Sequence, residues 1–186
     1  VPVMADEVIE ALAPRAYARY VDGTLGDGGH AERILTSTPT LELLAVDRDE
    51  QALSRARERL AVFAPRVRFE HAAFGELPGL LERAGWTDGV DGLLLDLGVS
   101  SLQLDAAERG FSFRHAAPLD MRMDRAHGPT AADLLAESSE EEIADIIYRY
   151  GEEHASRRIA RQIVRARAER PIATTWGGGR TGSTYT

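Results

Sequence analysis

A glycine-rich segment flanked by acids carries the strongest chemical signal in the sequence. It reads Asp-Gly-Thr-Leu-Gly-Asp-Gly-Gly-His-Ala over residues 22–31, directly after a short apolar run. Gly26, Gly28 and Ala31 satisfy the pattern G-x-G-x-x-G/A, in which the backbone passes close to a ligand at the carboxyl end of a strand. The segment therefore predicts a loop for an adenosine-containing cofactor, and a tight turn without a ligand is the less favoured alternative.

A second acid stands where such a cofactor would need one. Asp47 ends the next apolar run, at about the 20-residue spacing typical of an acid that binds nucleotide ribose hydroxyls. A simple turn does not require this acid, so the loop and Asp47 together favour cofactor binding.

The charge around the loop discriminates between two classes of cofactor. Asp22 and Asp27 flank the glycines, and two carboxylates beside a pyrophosphate would repel it. The same carboxylates suit S-adenosylmethionine, which carries an ammonium and a sulfonium. The charges favour S-adenosylmethionine and leave a dinucleotide open.

Three further side chains are candidates for the same site. Asp96 ends a fourth apolar run, where an open α/β sheet has its crevice; it could face a transferring methyl and its acceptor, or merely cap a turn. Phe74 follows the third run and could pack on adenine or belong to the core. His30 is interpreted as a loop residue near the cofactor, because no cysteine or second histidine nearby suggests a metal site.

The apolar runs and the segments between them predict an α/β fold. Predicted strands and helices alternate, with strands at 20–23, 41–46, 67–69 and 92–97 and helices at 3–12, 31–35, 49–63 and 77–84. Continuous apolar strands alternating with helices are typical of a parallel sheet covered on both faces.

The character of the sequence changes after Leu104. A polar segment at 105–128 precedes two predicted helices. Ser138 and Ser139, followed by Glu141 and Glu142, have the spacing of a capping box. The first helix has an apolar stripe of Ile143, Ile146, Ile147 and Tyr150 and ends at Gly151, and the second, at about 152–169, is expected to bury Ile159, Ile163 and Ala166.

The second helix also concentrates positive charge in an acidic protein. The chain of 186 residues has a net charge of −8, yet this helix carries Arg157, Arg158, Arg161 and Arg165. These arginines predict an RNA contact, or a solvated face that pairs with the neighbouring Glu152, Glu153 and Glu169. No cysteine and no apolar run of about 18 residues occurs, so we expect a cytoplasmic protein without a membrane span.

Six sequence motifs occur in a fixed order: VDGTLGDGGH (21–30), VDRD (46–49), LLLDLGVSS (93–101), ERGFSF (108–113), PLDMRM (118–123) and YGEE (150–153). Together they resemble one family, the bacterial S-adenosylmethionine-dependent methyltransferases that act on N4 of a cytosine in small-subunit (16S) ribosomal RNA. The resemblance covers about residues 1–175.

The resemblance implies a class I, Rossmann-like methyltransferase with a mostly parallel sheet. It divides the chain into the first half of the methyltransferase domain (1–105) and part of a helical substrate-recognition insert (106–175). It implies Asp96 as the catalytic residue, ribosomal RNA as the partner, no metal, and the following cofactor contacts: Gly28, Gly29, His30, Asp47, Phe74, Asp96 and Gln103.

The sequence departs from the family after Thr175. Residues 176–186 contain four glycines without an apolar period and predict a flexible tail. The family continues with the rest of the insert and the sheet, so we expect a truncated or frameshifted chain with an incomplete sheet and an open edge at the fourth strand. A Rossmann-type NAD-binding oxidoreductase and an inactive RNA-binding remnant are the alternatives.

Overall fold

The computed structural model describes residues 2–176, apart from the side chains at 101 and 102. The chain folds as two compact units, Val1–Gly98 and Val99–Thr186. The predicted flexible tail falls, beyond Trp176, outside the described residues. Within the described range, no helix is both long enough and apolar enough to cross a membrane.

The first unit is built on a four-stranded parallel sheet. The strands are β1 (Arg19–Asp22), β2 (Glu42–Asp47), β3 (Val67–His71) and β4 (Gly92–Leu94), in the order β3-β2-β1-β4. This order is the first part of the doubly wound arrangement 3-2-1-4-5-6, in which the ligand crevice lies beyond the carboxyl ends of the central strands. The predicted α/β, Rossmann-like fold is confirmed.

Helices cover both faces of this sheet. They are α1 (Ala5–Leu12), α2 (Gly29–Ser37), α3 (Glu50–Arg59) and α4 (Leu77–Ala84). Successive residues of a strand point to opposite faces, so Tyr20 and Leu43 join the core with α2 and α3, whereas Val21 and Leu44 join the core that contains α4 and Trp86. Continuous apolar strands are needed for this two-sided burial, as the sequence predicted.

Two elements of the first unit differ from the sequence prediction. Helix α3 starts after its cap, Asp49, as expected, but ends at Arg59 and gives way to a short 3-10 helix, Ala61–Arg66, that contains Pro65. Strand β4 ends at Leu94, because its pairing with β1 stops where β1 turns into the glycine-rich loop after Asp22.

The second unit contains α5 (Ser101–Asp105), α6 (Ala131–Glu137), α7 (Glu140–Gly151) and α8 (Ser156–Glu169). The predicted capping box is present at the start of α7: the Ser139 hydroxyl accepts from the Glu142 amide at 3.2 Å, and the Glu142 carboxylate accepts from the Ser139 amide at 2.7 Å. Helix α7 ends at Gly151, as predicted.

The predicted buried faces of α7 and α8 are partly wrong. Ile143 is buried, but Ile146, Tyr150 and Ala166 are exposed. The small residues Ala144 and Ala160 are buried with Ile143 in the α7–α8 core, which allows the two helices to approach closely. The contact therefore combines the alanines with Ile143, against which Ile147 and Ile163 pack as predicted.

The polar segment after α5 is anchored by the chain that follows α8. Pro118 forms an antiparallel bridge with Thr174, and the Trp176 ring Nε1 donates to the Phe113 carbonyl at 2.7 Å. Trp176, the first residue of the predicted tail, is thus held in place by a hydrogen bond.

Candidate functional site

The carboxyl ends of β1, β2 and β4 bring three acids into one region of the first unit. Asp22 is the last residue of β1 and Asp47 the last of β2, while Asp96 follows β4 by two residues. Their carboxylates are close enough that Asp47 and Asp96 both act electrostatically on Asp22. The sheet therefore collects negative charge where the fold has its crevice.

Asp22 is the most deeply buried of these acids, with 1% of its surface exposed. Its Oδ1 accepts from the Thr24 amide at 3.2 Å, whereas its Oδ2 is buried and has no hydrogen-bond partner in the described part of the chain. Burial raises the pKa of Asp22 to about 7, assisted by Asp47 and Asp96 and opposed by the Thr24 hydrogen bond. An orphaned buried carboxylate oxygen needs a partner, and a bound cationic ligand would supply one.

Asp47 links β2 to the glycine-rich loop. Its Oδ2 accepts from the Gly26 amide at 2.7 Å, and its Oδ1 accepts from the Asp49 amide at 2.8 Å. Burial is the main cause that raises the pKa of Asp47, and these backbone hydrogen bonds oppose the shift. An ionised carboxylate can accept about four hydrogen bonds, so capacity remains for a ligand's hydroxyls.

The loop itself depends on glycine geometry. Gly26 and Gly28 have φ of 53° and 75°, in the left-handed region that favours glycine. Gly28 caps α2, and a β-carbon there would lie 3.2 Å from Leu60. Glycine at position 28 is therefore required both by the left-handed backbone and by close packing against Leu60 in the core.

His30 lies in the first turn of α2 and not in the loop, so the predicted loop position is wrong. Helix α2 begins at Gly29, which places the imidazole with 9% of the residue exposed. Its Nε2 is 3.9 Å from Asp96 Oδ2, and its Nδ1 is buried without a hydrogen bond among the described residues. Burial lowers the pKa of His30, and Asp96 partly offsets the effect, so a neutral ring faces the Asp96 carboxylate near pH 7.

Thr24 connects the loop to the segment after β4, a link that the sequence analysis missed. Its hydroxyl Oγ1 accepts from the Asp96 amide at 2.7 Å. The Gly23 amide also donates to the Leu94 carbonyl at 2.9 Å. The hydroxyl two residues after a strand-ending acid was the available signal, but its partner became visible only once β4 was placed beside β1.

Phe74 lies next to the loop with its ring partly open to solvent. It begins a short 3-10 helix, Phe74–Glu76, and is 46% exposed. A β-carbon added to Gly23 would lie 3.4 Å from the Phe74 β-carbon. The alternative that Phe74 is a buried core residue is therefore wrong, and its position is compatible with packing on a flat ligand.

Asp27 does not contribute the free charge that the sequence suggested. Its Oδ1 accepts from Arg55 at 3.0 Å, so an ion pair neutralises it. The acids that give the crevice its negative charge are Asp22, Asp47 and Asp96.

Gln103 lies in the second unit. The Gln103 side chain is buried, and its Oε1 accepts from the Ser100 backbone amide at 3.0 Å. The Gln103 backbone amide in turn donates to the Ser100 hydroxyl at 3.2 Å. These bonds cap the start of α5. A contact between Gln103 and a cofactor stays a prediction.

The basic helix is α8, and its arginines are only partly paired. Arg161 lies 3.4 Å from Glu140, which is not one of the glutamates that the sequence suggested as partners. Among the described residues Arg157, Arg158 and Arg165 form no ion pair, and all three are exposed. The helix therefore keeps free positive charge, as an RNA contact requires.

Comparison with known proteins shows which family the chain belongs to. The sequence model of the MraW methylase family matches residues 1–177. The chain belongs to this family. Ribosomal RNA small subunit methyltransferase H of Citrifermentans bemidjiense is 56% identical, with 94% of this chain and 56% of that protein covered, and the same-named protein of Mycobacterium avium is 51% identical, with 94% and 48% covered. The chain thus spans about half the length of the curated relatives that it matches.

Two solved structures resemble part of the chain. TrmN from Thermus thermophilus is 30% identical with a TM-score of 0.38, covering 42% of this chain and 24% of that one. A SAM-dependent O-methyltransferase from Thermotoga maritima is 17% identical with a TM-score of 0.37, covering 40% and 29%.

Members of the MraW methylase family are S-adenosylmethionine-dependent methyltransferases, so the predicted family and cofactor class are confirmed. The residues present fit this cofactor. The orphaned Asp22 oxygen and the Asp96 carboxylate suit a ligand with positive charges, and Asp47 suits hydroxyls. A pyrophosphate at the same place would meet three carboxylates instead, which disfavours the dinucleotide alternative.

Proposed function

We propose that this chain carries the cofactor site of an enzyme that transfers a methyl group from S-adenosylmethionine to N4 of a cytosine in small-subunit ribosomal RNA. The choice of ribosomal RNA as the substrate rests on the relatives, which are named ribosomal RNA small subunit methyltransferases. The observation that carries it is the buried carboxylate Asp22, with an unsatisfied oxygen between two further acids. A cationic ligand would supply that oxygen with a donor and offset the charge of the three acids.

The cofactor would be held by residues of the first unit. Asp47 accepts hydrogen bonds from ribose hydroxyls, Phe74 packs on the adenine, and the backbone at Gly28, Gly29 and His30 lies along the ligand. Asp22 offers its free oxygen to the ammonium group. When bound, S-adenosylmethionine supplies an electrophilic methyl group on a positively charged sulfur.

Asp96 is proposed to hold the acceptor. An exocyclic cytosine amine is a hydrogen-bond donor, and carboxylates are its usual side-chain acceptors. An Asp96 carboxylate that accepts one N–H would orient the nitrogen toward the methyl carbon, and orientation of this kind contributes much of the rate in a direct displacement. The displacement would release a neutral thioether, and the methylated nitrogen would then lose one proton to the solvent. The Nε2 of His30 lies 3.9 Å from the Asp96 Oδ2 on the same side of the site.

The surface that binds the RNA is proposed to lie on α8. The protein as a whole is acidic, so a surface for phosphates must be local. Arg157, Arg158 and Arg165 provide it, because they are exposed and unpaired within the described residues. Arg161 adds to it with a charge that Glu140 shares.

The first test is calorimetry of the chain with S-adenosylmethionine and with NAD. The proposal expects binding of S-adenosylmethionine alone, weakened by Asp47→Ala and unaffected by Arg83→Gln, a matched surface change in the first unit. Binding of NAD instead would support an oxidoreductase, and RNA binding without either cofactor would support a remnant.

The second test is methyl transfer. Small-subunit RNA that lacks the modification is incubated with the protein and with S-adenosylmethionine labelled in its methyl group. Nucleosides from the digested RNA are then separated. Label in N4-methylcytidine supports the proposal, and label in another nucleoside contradicts the assignment of the acceptor.

A further inference from the structure

A cavity in the second unit lies apart in sequence from every residue of the cofactor site. Its volume is about 550 Å³, and it lies at the connection between α7 and α8. Its principal side chains are Asp145, Tyr148, His154, Ser156, Arg157 and Arg158. Clefts of several hundred Å³ are the usual size of small-ligand sites, so the cavity can hold one nucleotide.

Two aromatic rings form one wall. The rings of Tyr148, in the last part of α7, and His154, in the connection, have centroids 6.2 Å apart and planes at 59°. Tyr148 is 55% exposed. Unpaired RNA bases stack on the faces of Tyr and His rings, and a ring that is more than half exposed leaves such a face available.

The charge around the cavity is positive. The guanidinium groups of Arg157 and Arg158 form no ion pair in the part of the chain that the structure describes. The one acid among the lining residues, Asp145, lies 3.4 Å from Arg149, which shares its charge. Two unpaired arginines beside a neutralised acid favour an anionic ligand.

The cavity lining includes the hydroxyl of a buried serine. Ser156 is 4% exposed and is the first residue of α8. Within the described residues its hydroxyl has no hydrogen bond. Serine hydroxyls commonly bind phosphate oxygens in RNA and DNA complexes, so Ser156 complements the two arginines.

We propose that this cavity binds one unpaired nucleotide of the RNA substrate, other than the cytosine to be methylated. The base stacks on the Tyr148 ring, with the tilted His154 ring at its edge, and its phosphate meets Arg157, Arg158 and the Ser156 hydroxyl. The inference rests on the proposed RNA substrate, and it adds a recognition site in the second unit. A phosphate group alone would explain the arginines but not the aromatic wall, which is why a nucleotide is favoured over a phosphorylated protein.

The test measures binding of a short fluorescent single-stranded RNA from the small subunit to the full chain. Tyr148→Ala is expected to weaken binding by about 5- to 150-fold, the range for loss of one stacked base, and Tyr148→Phe is expected to restore it. The matched control is Tyr150→Ala: this residue is on the same helix, 84% exposed, and not among the residues that line the cavity. Thermal unfolding monitors the fold of each variant.

A second readout separates stacking from a general defect. On an otherwise identical RNA that lacks its bases, Tyr148→Ala is expected to change affinity little, whereas Arg157→Gln with Arg158→Gln weakens binding to both RNAs. Equal effects of Tyr148→Ala and Tyr150→Ala, or an effect of Tyr148→Ala that persists without bases, would overturn the inference.

The outcomes also distinguish this inference from the proposed function. If wild-type protein binds RNA and Tyr148→Ala does not differ from it, only the nucleotide site is wrong. If the double variant Arg157→Gln with Arg158→Gln does not differ from wild type either, the assignment of RNA to α8 is wrong as well. If the protein binds S-adenosylmethionine but no RNA, the proposed RNA substrate fails and the nucleotide site with it. A phosphoserine peptide that occupies the cavity when RNA does not would assign it to a protein partner.

Discussion

Asp47 Oδ2 accepts a hydrogen bond from the Gly26 amide at 2.7 Å, which joins the end of β2 to the middle of the glycine-rich loop. The same side chain also receives the Asp49 amide, at the start of α3. Asp47 therefore shapes the loop that it is expected to complete as a ligand contact. A substitution of Asp47 therefore affects both the shape of the loop and the expected ligand contact, and matched variants are needed to separate the two effects.

Asp47→Ala is expected to weaken S-adenosylmethionine binding by roughly 1–3 kcal/mol, the loss typical of hydrogen bonds to a charged group. Titration calorimetry measures the dissociation constant directly. Asp47→Asn is the matched variant, because its amide oxygen can keep one of the two backbone hydrogen bonds and lose the charge. An unchanged dissociation constant in Asp47→Ala would place the ribose site elsewhere.

Because Asp22 is buried, we expect the free energy of unfolding to fall as the pH rises in the absence of cofactor. Burial raises its folded-state pKa to about 7, above the ordinary value of 3.8. Between these two values the folded state binds more protons than the unfolded state, so the free energy of unfolding decreases as the pH increases. Urea unfolding across this range is expected to show that decrease, and Asp22→Asn is expected to flatten it.

Cofactor binding should show the opposite trend at the same residue. A cationic ligand favours the ionised Asp22, so affinity for S-adenosylmethionine is expected to rise from about one pH unit below 7 to about one unit above. Calorimetry at the two pH values measures the difference, with Asp22→Asn as the control that removes it. The same dependence in wild type and Asp22→Asn would assign the titration to another group, such as His30.

The sequence could predict the parallel α/β fold because two kinds of local pattern agree. Apolar runs mark strands buried on both faces, and the glycines and acids mark the ends of those strands. The position of Asp47 follows from the same logic, since parallel strands end at one edge. The family followed from six motifs in order, and its model matches residues 1–177.

The remaining features depend on contacts between distant segments. The burial of Asp22, the Thr24 link to Asp96 and the neutralisation of Asp27 by Arg55 all require the folded sheet. The contact face of α7 was partly mispredicted for a related reason: Ile146 and Tyr150 lie at helical spacing from Ile143 but are exposed, whereas Ala144 and Ala160 are buried with Ile143 between the two helices.

The edge at β4 predicts self-association. In the described part of the chain β4 pairs only with β1. Leu93 in this strand is 47% exposed, and Leu95 and Leu97, which follow the strand, are 38% and 69% exposed. An unpaired edge with apolar side chains is a template for pairing with another chain. Sedimentation velocity is expected to show association that rises with concentration, and Leu97→Glu is expected to reduce it. A monomer with cooperative unfolding at all concentrations would count against this prediction.

The basic helix predicts a salt dependence that separates phosphate contacts from a solvated surface. Replacing Arg157, Arg161 and Arg165 by Gln should weaken RNA binding and leave S-adenosylmethionine binding unchanged, since none of them belongs to the proposed cofactor site. Log affinity falls linearly as log salt rises, and each lost phosphate contact should make this negative slope shallower by about 0.9 units.

Arg161 provides an internal calibration of that slope, because Glu140 already lies 3.4 Å from its guanidinium. Its single replacement is expected to change the slope less than replacement of Arg157 or Arg165, whose charges have no acidic partner among the described residues. The fold should tolerate all three changes, because these side chains are exposed and the α7–α8 core is formed by other residues. An unaltered affinity and slope in the triple variant would mean that the arginines form a solvated face, and the RNA surface would have to lie on a different part of the protein.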